Sequence, residues 1–167
     1  MAVRRGVYPG SFDPLTTAHL AIVEAAIEAC ELDRLDLVLS VAALAKAPGG
    51  HTPLDARVAE ITRAFGSRPA VRARTSSLQL LADLAEGYDV CVLGADKWHQ
   101  LHDLAFYDGS AAARDAALAR LPRLAVAPRR GVPSPPPGPD VVLLDLDPRF
   151  QDVSSTAVRA GRHDWRA

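Results

Sequence analysis

Short apolar runs alternate along this chain with stretches of helical period. Val3 to Tyr8 is a short apolar run that predicts a buried strand. From Ala18 to about Cys30, apolar residues recur every three to four positions and predict a helix. Arg34 to Val41 (RLDLVLSV) is nearly all apolar, as expected for a strand covered on both faces. Leu54 to Phe65 predicts a second helix, with Leu54, Val58, Ile61 and Phe65 on one face and Asp55, Arg57 and Glu60 elsewhere. Ala70 to Arg74 is a short third strand. Leu78 to Glu86 is a helix closed by Gly87, and Tyr88 to Leu93 a fourth strand. An Ala-rich helix (Ala111 to Leu121), a fifth strand (Leu124 to Ala127) and a sixth (Val141 to Leu146) follow, and Ser154-Ser155-Thr156 leads into a short final helix. The proline-rich stretch Pro128 to Pro139 predicts an extended surface loop.

This alternation predicts an α/β fold: a Rossmann-like, doubly wound parallel sheet of five to six strands with helices on both faces and right-handed crossovers. Ligands of such sheets bind beyond the carboxyl ends of the strands. Gly10, Lys46, Gly94 and the Ser154-Ser155 turn all follow predicted strands, so the topology points to one cleft. The 167 residues fit a single domain, 1–167, able to bury a sizeable core. No apolar run approaches the roughly 20 residues that span a bilayer, and Met-Ala-Val-Arg-Arg-Gly lacks the core of a signal peptide. A net charge of −1 gives no argument for a nucleic-acid or membrane partner. Cys30 and Cys91, at a helix end and inside a strand, read as buried thiols of a reduced, cytoplasmic protein. His99 and His102, three apart on a polar helix, read as surface residues, and no metal site is expected.

The chemistry concentrates in Val7 to Leu20. A strand runs into Pro9-Gly10-Ser11-Phe12-Asp13-Pro14, all but Phe12 turn formers, and then into a helix. Strand, Gly-containing loop and helix start point free backbone N–H groups at an anion. Thr16 and His19, three apart at the helix start, project from one side of its first turn. Taken alone they read as a helix cap and a surface histidine. With the whole lead-in they suit a phosphate oxygen.

Tyr8-Pro9-Gly10-Ser11-Phe12-Asp13-Pro14 and Thr16-Thr17-Ala18-His19 resemble the nucleotidyltransferase superfamily with the "[H/T]-x-G-H" signature, Ala18 standing where the family has Gly. Val153-Ser154-Ser155-Thr156-Ala157-Val158-Arg159 resembles its second signature, "I-S-S-T-x-[I/V]-R". The opening run is similar to phosphopantetheine adenylyltransferase. Gly94-Ala95-Asp96-Lys97-Trp98 and the closing run are similar to the nicotinate- and nicotinamide-mononucleotide adenylyltransferases, and the "R-G-L-R" segment of the phosphopantetheine enzymes is missing.

The resemblance implies transfer of AMP from ATP, carried with Mg²⁺, to a small phosphorylated acceptor, nicotinate mononucleotide favoured, with release of pyrophosphate. It assigns His19, Thr16 and Lys46 to the reacting phosphates. Gly10, Ser11, Phe12, Gly94, Asp96, Ser154, Ser155, Thr156 and Arg159 go to the nucleotide, and Lys46 and Trp98 to the acceptor. Arg57 is expected to organise the loop that carries Lys46, and Arg129 or Arg130 to meet an acceptor phosphate. Phosphopantetheine as acceptor, a cytidylyltransferase, a non-catalytic nucleotide binder and a homo-oligomer stay open.

Overall fold

In the computed structural model, which describes residues 2–41 and 51–167, six strands form one parallel sheet. They are β1 (Arg5–Pro9), β2 (Arg34–Ser40), β3 (Val71–Ser76), β4 (Val90–Gly94), β5 (Arg123–Ala127) and β6 (Val141–Leu143). The helices are α1 (Thr17–Cys30), α2 (Leu54–Ala64), α3 (Leu81–Leu84), α4 (Ala95–His102), α5 (Ala111–Arg120) and α6 (Ser155–Arg159). Strand order is β3-β2-β1-β4-β5-β6, which makes the sheet doubly wound, as expected from the alternation. The chain winds outward in both directions from the β1/β4 pair. The crevice that this switch point opens lies beyond the carboxyl ends of those two strands, where Gly10 and Gly94 sit.

The pleat sorts side chains between two layers. Tyr8, Leu35, Leu37, Leu39, Val90 and Val92 pack with Ile22, Val23 and Ala26 of α1 and Ile61 of α2. Val7, Val38, Cys91, Leu93 and Val126 face Leu81 and Leu84 of α3 and Leu101 of α4. Apolar side chains on both surfaces of the central strands explain why they read as continuous apolar runs. Both cysteines are buried and free. Among the described residues no helix is long and apolar enough to cross a membrane.

Several boundaries differ from the expectation, β3 and β4 by one or two residues at each end. β1 starts at Arg5, and Val3, 60% exposed, lies outside it. The helix expected over Leu78 to Glu86 is one turn, α3. Ser76 Oγ accepts the Leu78 N–H (3.1 Å) and the Leu78 carbonyl accepts from Ser40 Oγ (2.6 Å), so side chains already take backbone groups a helix would use. β6 stops at Leu143 because β5, its one neighbour, ends at Ala127, although Leu144 and Leu146 still enter the core.

A carboxylate is buried in the α3-side layer. Asp36, fully buried in β2, accepts Arg34 Nε (2.8 Å) and Nη2 (2.9 Å) and the Tyr88 hydroxyl (2.7 Å), and pairs with Arg74 (3.3 Å). Burial pushes its pKa up; the bonds from Arg34 and Tyr88 and the charges of Arg34 and Arg74 overcome that and hold it below the ordinary value.

Candidate active site

The loop leaving β1 is built around one buried ring. Phe12 is 1% exposed at φ +46°, in the left-handed region, and its ring lies under Gly10. A Cβ at Gly10 would sit 2.9 Å from Phe12 Cζ, so only glycine lets the loop close over the ring. The ring meets Tyr8 at 5.2 Å and His19 at 5.0 Å between centroids, both edge-on. Phe12 thus presents backbone to the cleft, while its side chain buttresses the imidazole.

Thr16 caps α1, and His19 occupies the position of the Glu in a capping box. Thr16 Oγ1 accepts the His19 N–H (3.3 Å), and His19 Nδ1 accepts the Thr16 N–H (2.9 Å). An Nδ1 that accepts carries no proton, so the imidazole is neutral with its hydrogen on Nε2. Burial, and then the charge of Arg129, push its pKa down to about 4. His19 is therefore a fixed neutral donor.

The two ends of the chain meet here. Ser155 Oγ donates to the Pro14 carbonyl (2.8 Å), and Arg159 Nη1 donates to the Asp13 carbonyl. Ser154 caps α6 by accepting the Ala157 N–H (3.1 Å). Farther on, the Ala167 N–H donates to the Leu15 carbonyl (3.0 Å), and Arg166 pairs with Glu60 (3.1 Å). At the β4 end, Asp96 folds back over Gly94: its Oδ1 lies 2.6 Å from where a Cβ would stand, and Arg129 Cδ lies 3.8 Å from the same point.

These elements enclose one cleft of about 290 Å³. It brings together Gly10, Ser11, Phe12, Thr16, His19, Gly94, Asp96, Ser154, Ser155 and Thr156 of the residues expected from sequence. Two expected residues stand apart from it. Trp98 packs into the α3/α4-side core and lies beside His99 and His102, at 5.0 and 4.3 Å between ring centroids, because it shares a helix face with Leu101 three positions on. Arg159 turns to the loop carbonyl of Asp13 and to Thr156 Oγ1 (3.3 Å). Lys46 lies outside the described residues.

Just beyond, Asp13 is 2% exposed; its carboxylate accepts the Thr52 N–H (3.3 Å) and sits 3.0 Å from His51 Nδ1. Burial acts to raise its pKa, but those bonds and the charge of Arg57 leave it below the ordinary value. Arg57, also 2% exposed, donates to the carbonyls of Thr52 and Ser11, both at 2.9 Å. It thereby ties Thr52 to the β1–α1 loop; the Lys46 loop that it is expected to organise lies outside the described residues.

Three lining residues with polar side chains were not assigned from sequence, or only in part. Tyr8 reads as a strand residue, and Lys97 carries no signal beyond following Asp96. Arg129 lines the cleft and donates to the Val153 carbonyl (3.4 Å), whereas Arg130 turns out to Asp152 (2.7 Å). Among the lining residues the one carboxylate is Asp96, and no cluster of three or more His, Cys, Asp or Glu that could hold a metal occurs among the described residues.

Residues 7–161 match the family model described as cytidylyltransferase-like. Over 76 residues the chain is 34% identical to a probable nicotinate-nucleotide adenylyltransferase of Bordetella avium (strain 197N). That match covers 46% of this chain and 38% of the relative, well under half of its length. The fold is shared with Plasmodium falciparum nicotinic acid mononucleotide adenylyltransferase at 14% identity, over 95% of this chain and 83% of that one. The TM-score is 0.69 for its complex with APC and 0.65 for its complex with NaAD.

Proposed function

Because this chain belongs to the cytidylyltransferase-like family, we propose that it is an adenylyltransferase moving AMP from ATP to the phosphate of a mononucleotide, nicotinate mononucleotide first, in NAD biosynthesis. One observation carries the proposal. The Thr16–His19 capping box fixes a neutral imidazole, a donor through Nε2, in the same cleft as the Ser154–Thr156 turn. A donor that stays neutral and fixed suits an oxyanion whose charge grows during transfer.

In this reaction an acceptor phosphate oxygen attacks the α-phosphorus in line. The new P–O bond forms as the bond to the β-phosphate oxygen breaks, and pyrophosphate leaves with the electron pair. No side-chain nucleophile takes part, so the protein supplies position and charge. His19 Nε2–H and the loop amide of Ser11 hold α-phosphoryl oxygens, while the Gly10 N–H donates to the Val38 carbonyl (3.1 Å) and ties the loop to β2, and Thr16 keeps His19 oriented. Ser154, Ser155 and Thr156 receive the leaving pyrophosphate, and Arg159 serves by fixing their turn to the β1–α1 loop. Asp96 accepts from ribose hydroxyls. Lys46, which lies outside the described residues, is proposed on the sequence alone as a cation for the phosphates. Mg²⁺ enters as part of the Mg·ATP substrate, a fit for a cleft lined by a single carboxylate.

The Tyr8-Pro9-Gly10-Ser11-Phe12-Asp13-Pro14 lead-in favours phosphopantetheine as the second acceptor. Pyrophosphate release is to be measured with ATP and with CTP against nicotinate mononucleotide, nicotinamide mononucleotide and phosphopantetheine. ATP with nicotinate mononucleotide is expected to be fastest. Turnover only with CTP, or ATP binding with no pyrophosphate from any acceptor, overturns the proposal.

A further inference from the structure

The chain has three tyrosines. Tyr88 donates its hydroxyl to Asp36 (2.7 Å) and Tyr107 donates to the Leu101 carbonyl (2.9 Å). Tyr8 is the exception: it is only 7% exposed, yet among the described residues its hydroxyl makes no hydrogen bond. Its ring rests edge-on against Phe12 and lies 6.1 Å from the His19 ring, and the side chain lines the cleft. The Tyr8 hydroxyl is not among the buried polar atoms left without a partner, so it opens onto the cleft, and a donor held there by a buried ring with no protein partner is a place for a ligand to complete.

We infer that Tyr8 is a substrate-binding residue whose hydroxyl donates to a phosphoryl oxygen of the nucleotide, beside the His19 Nε2–H. The donor role follows from the surroundings. Burial lifts the phenol's pKa above its ordinary value and Asp96 pushes the same way against Arg129, so the proton stays on. Arg129 and His19 around it present positive charge and a donor, which match a group that only accepts. Phosphoryl oxygens are of that kind.

The inference rests on the adenylyltransferase reading, and its test separates the two. Tyr8→Phe removes one oxygen and keeps the ring against Phe12 and His19. We expect the Kd of ATP by calorimetry to rise about 10- to 100-fold, as for a lost hydrogen bond to a charged partner, with kcat/KM falling in step. The melting temperature of the ligand-free variant should be unchanged, because no hydrogen bond within the described residues is lost. An unchanged Kd, or a weaker Kd with a melting temperature lowered by several degrees, overturns the inference. If the wild-type chain turns over no acceptor, the adenylyltransferase reading fails alone, and the ATP Kd ratio still decides Tyr8.

Discussion

Asp36 and the cleft are both buried polar regions of one sheet, and they are finished differently. Both oxygens of Asp36 are engaged, by Arg34, Arg74 and Tyr88. The network closes on itself and offers a ligand nothing. At the carboxyl ends of β1 and β4, His19 Nε2–H and the Tyr8 hydroxyl are donors without a protein acceptor among the described residues. Polar groups that satisfy one another stabilise a fold, and polar groups fixed in place but left open bind. The largest effect is expected where the closed network is broken. Asp36→Ala leaves Arg34 and Arg74 beside an emptied site. As these side chains are 21% and 51% exposed, water takes up part of the loss, and a destabilisation of about 3 kcal/mol is expected by denaturant titration. Activity per folded molecule should not change. A loss under 1 kcal/mol, or lost activity at full stability, would erase the contrast.

The open region behaves in the opposite way. His19→Ala should lower kcat about 10²- to 10³-fold, the loss expected for one fixed donor to a developing oxyanion. Its fold should be retained, as the helix start keeps Thr16 Oγ1 as its cap. Full pyrophosphate release by the variant would remove His19 from the reaction.

A smaller effect links the ring of Phe12 to that histidine. Gly10→Ala puts a methyl 2.9 to 3.3 Å from three ring atoms of a side chain that is already 1% exposed. The ring can yield only by moving on its neighbours, His19 among them, and a displaced imidazole should lower kcat about 10-fold. Adding Phe12→Leu, which has no ring to strike and faces the same backbone cost at positive φ, should restore part of it. A double variant no better than Gly10→Ala would mean that the methyl blocks substrate directly.

These contrasts bear on what the chain alone reveals. The parallel sheet with helices on both faces and the Thr16–His19 pair were legible, because they follow from the alternation of strand and helix periods and from capping chemistry, whereas the order of the strands was not read from the sequence. The meeting of the chain's ends was also legible, from its two motifs together. What was not legible depends on direction rather than identity. Arg129 and Arg130 are neighbours, and only the path of the loop sends one into the cleft and the other to Asp152. Trp98 was assigned to the acceptor by the resemblance, and α4 places it on the same face as buried Leu101. Tyr8 lay within a run read as plain core, since composition cannot say which hydroxyl will find a partner.

The last contrast separates the regions on the pH axis. In the fold, His19 titrates at about 4, below the ordinary value of 6.5 that it regains when unfolded. As pH falls from 6.5 to 4, the unfolded chain takes up this proton while the folded chain does not, so stability falls through that window and His19 adds no further change below it. Asp36 and Asp13 are shifted down from an ordinary value of 3.8. Their contribution is present above that value and is lost as pH falls through their lower folded values. Acid should therefore act on the cleft first and the closed network second. His19→Asn is expected to flatten the stability profile between pH 6.5 and 4 and leave the limb below 4 in place; Asp36→Asn should do the reverse. The ring nitrogens of His19 give the direct measurement: the Nε2–H form should persist to about pH 5 by ¹H–¹⁵N correlation. Protonation of Nδ1 near pH 6.5 would mean that the Thr16 N–H bond does not hold the imidazole neutral, and His19 would then be no more fixed than a histidine in water.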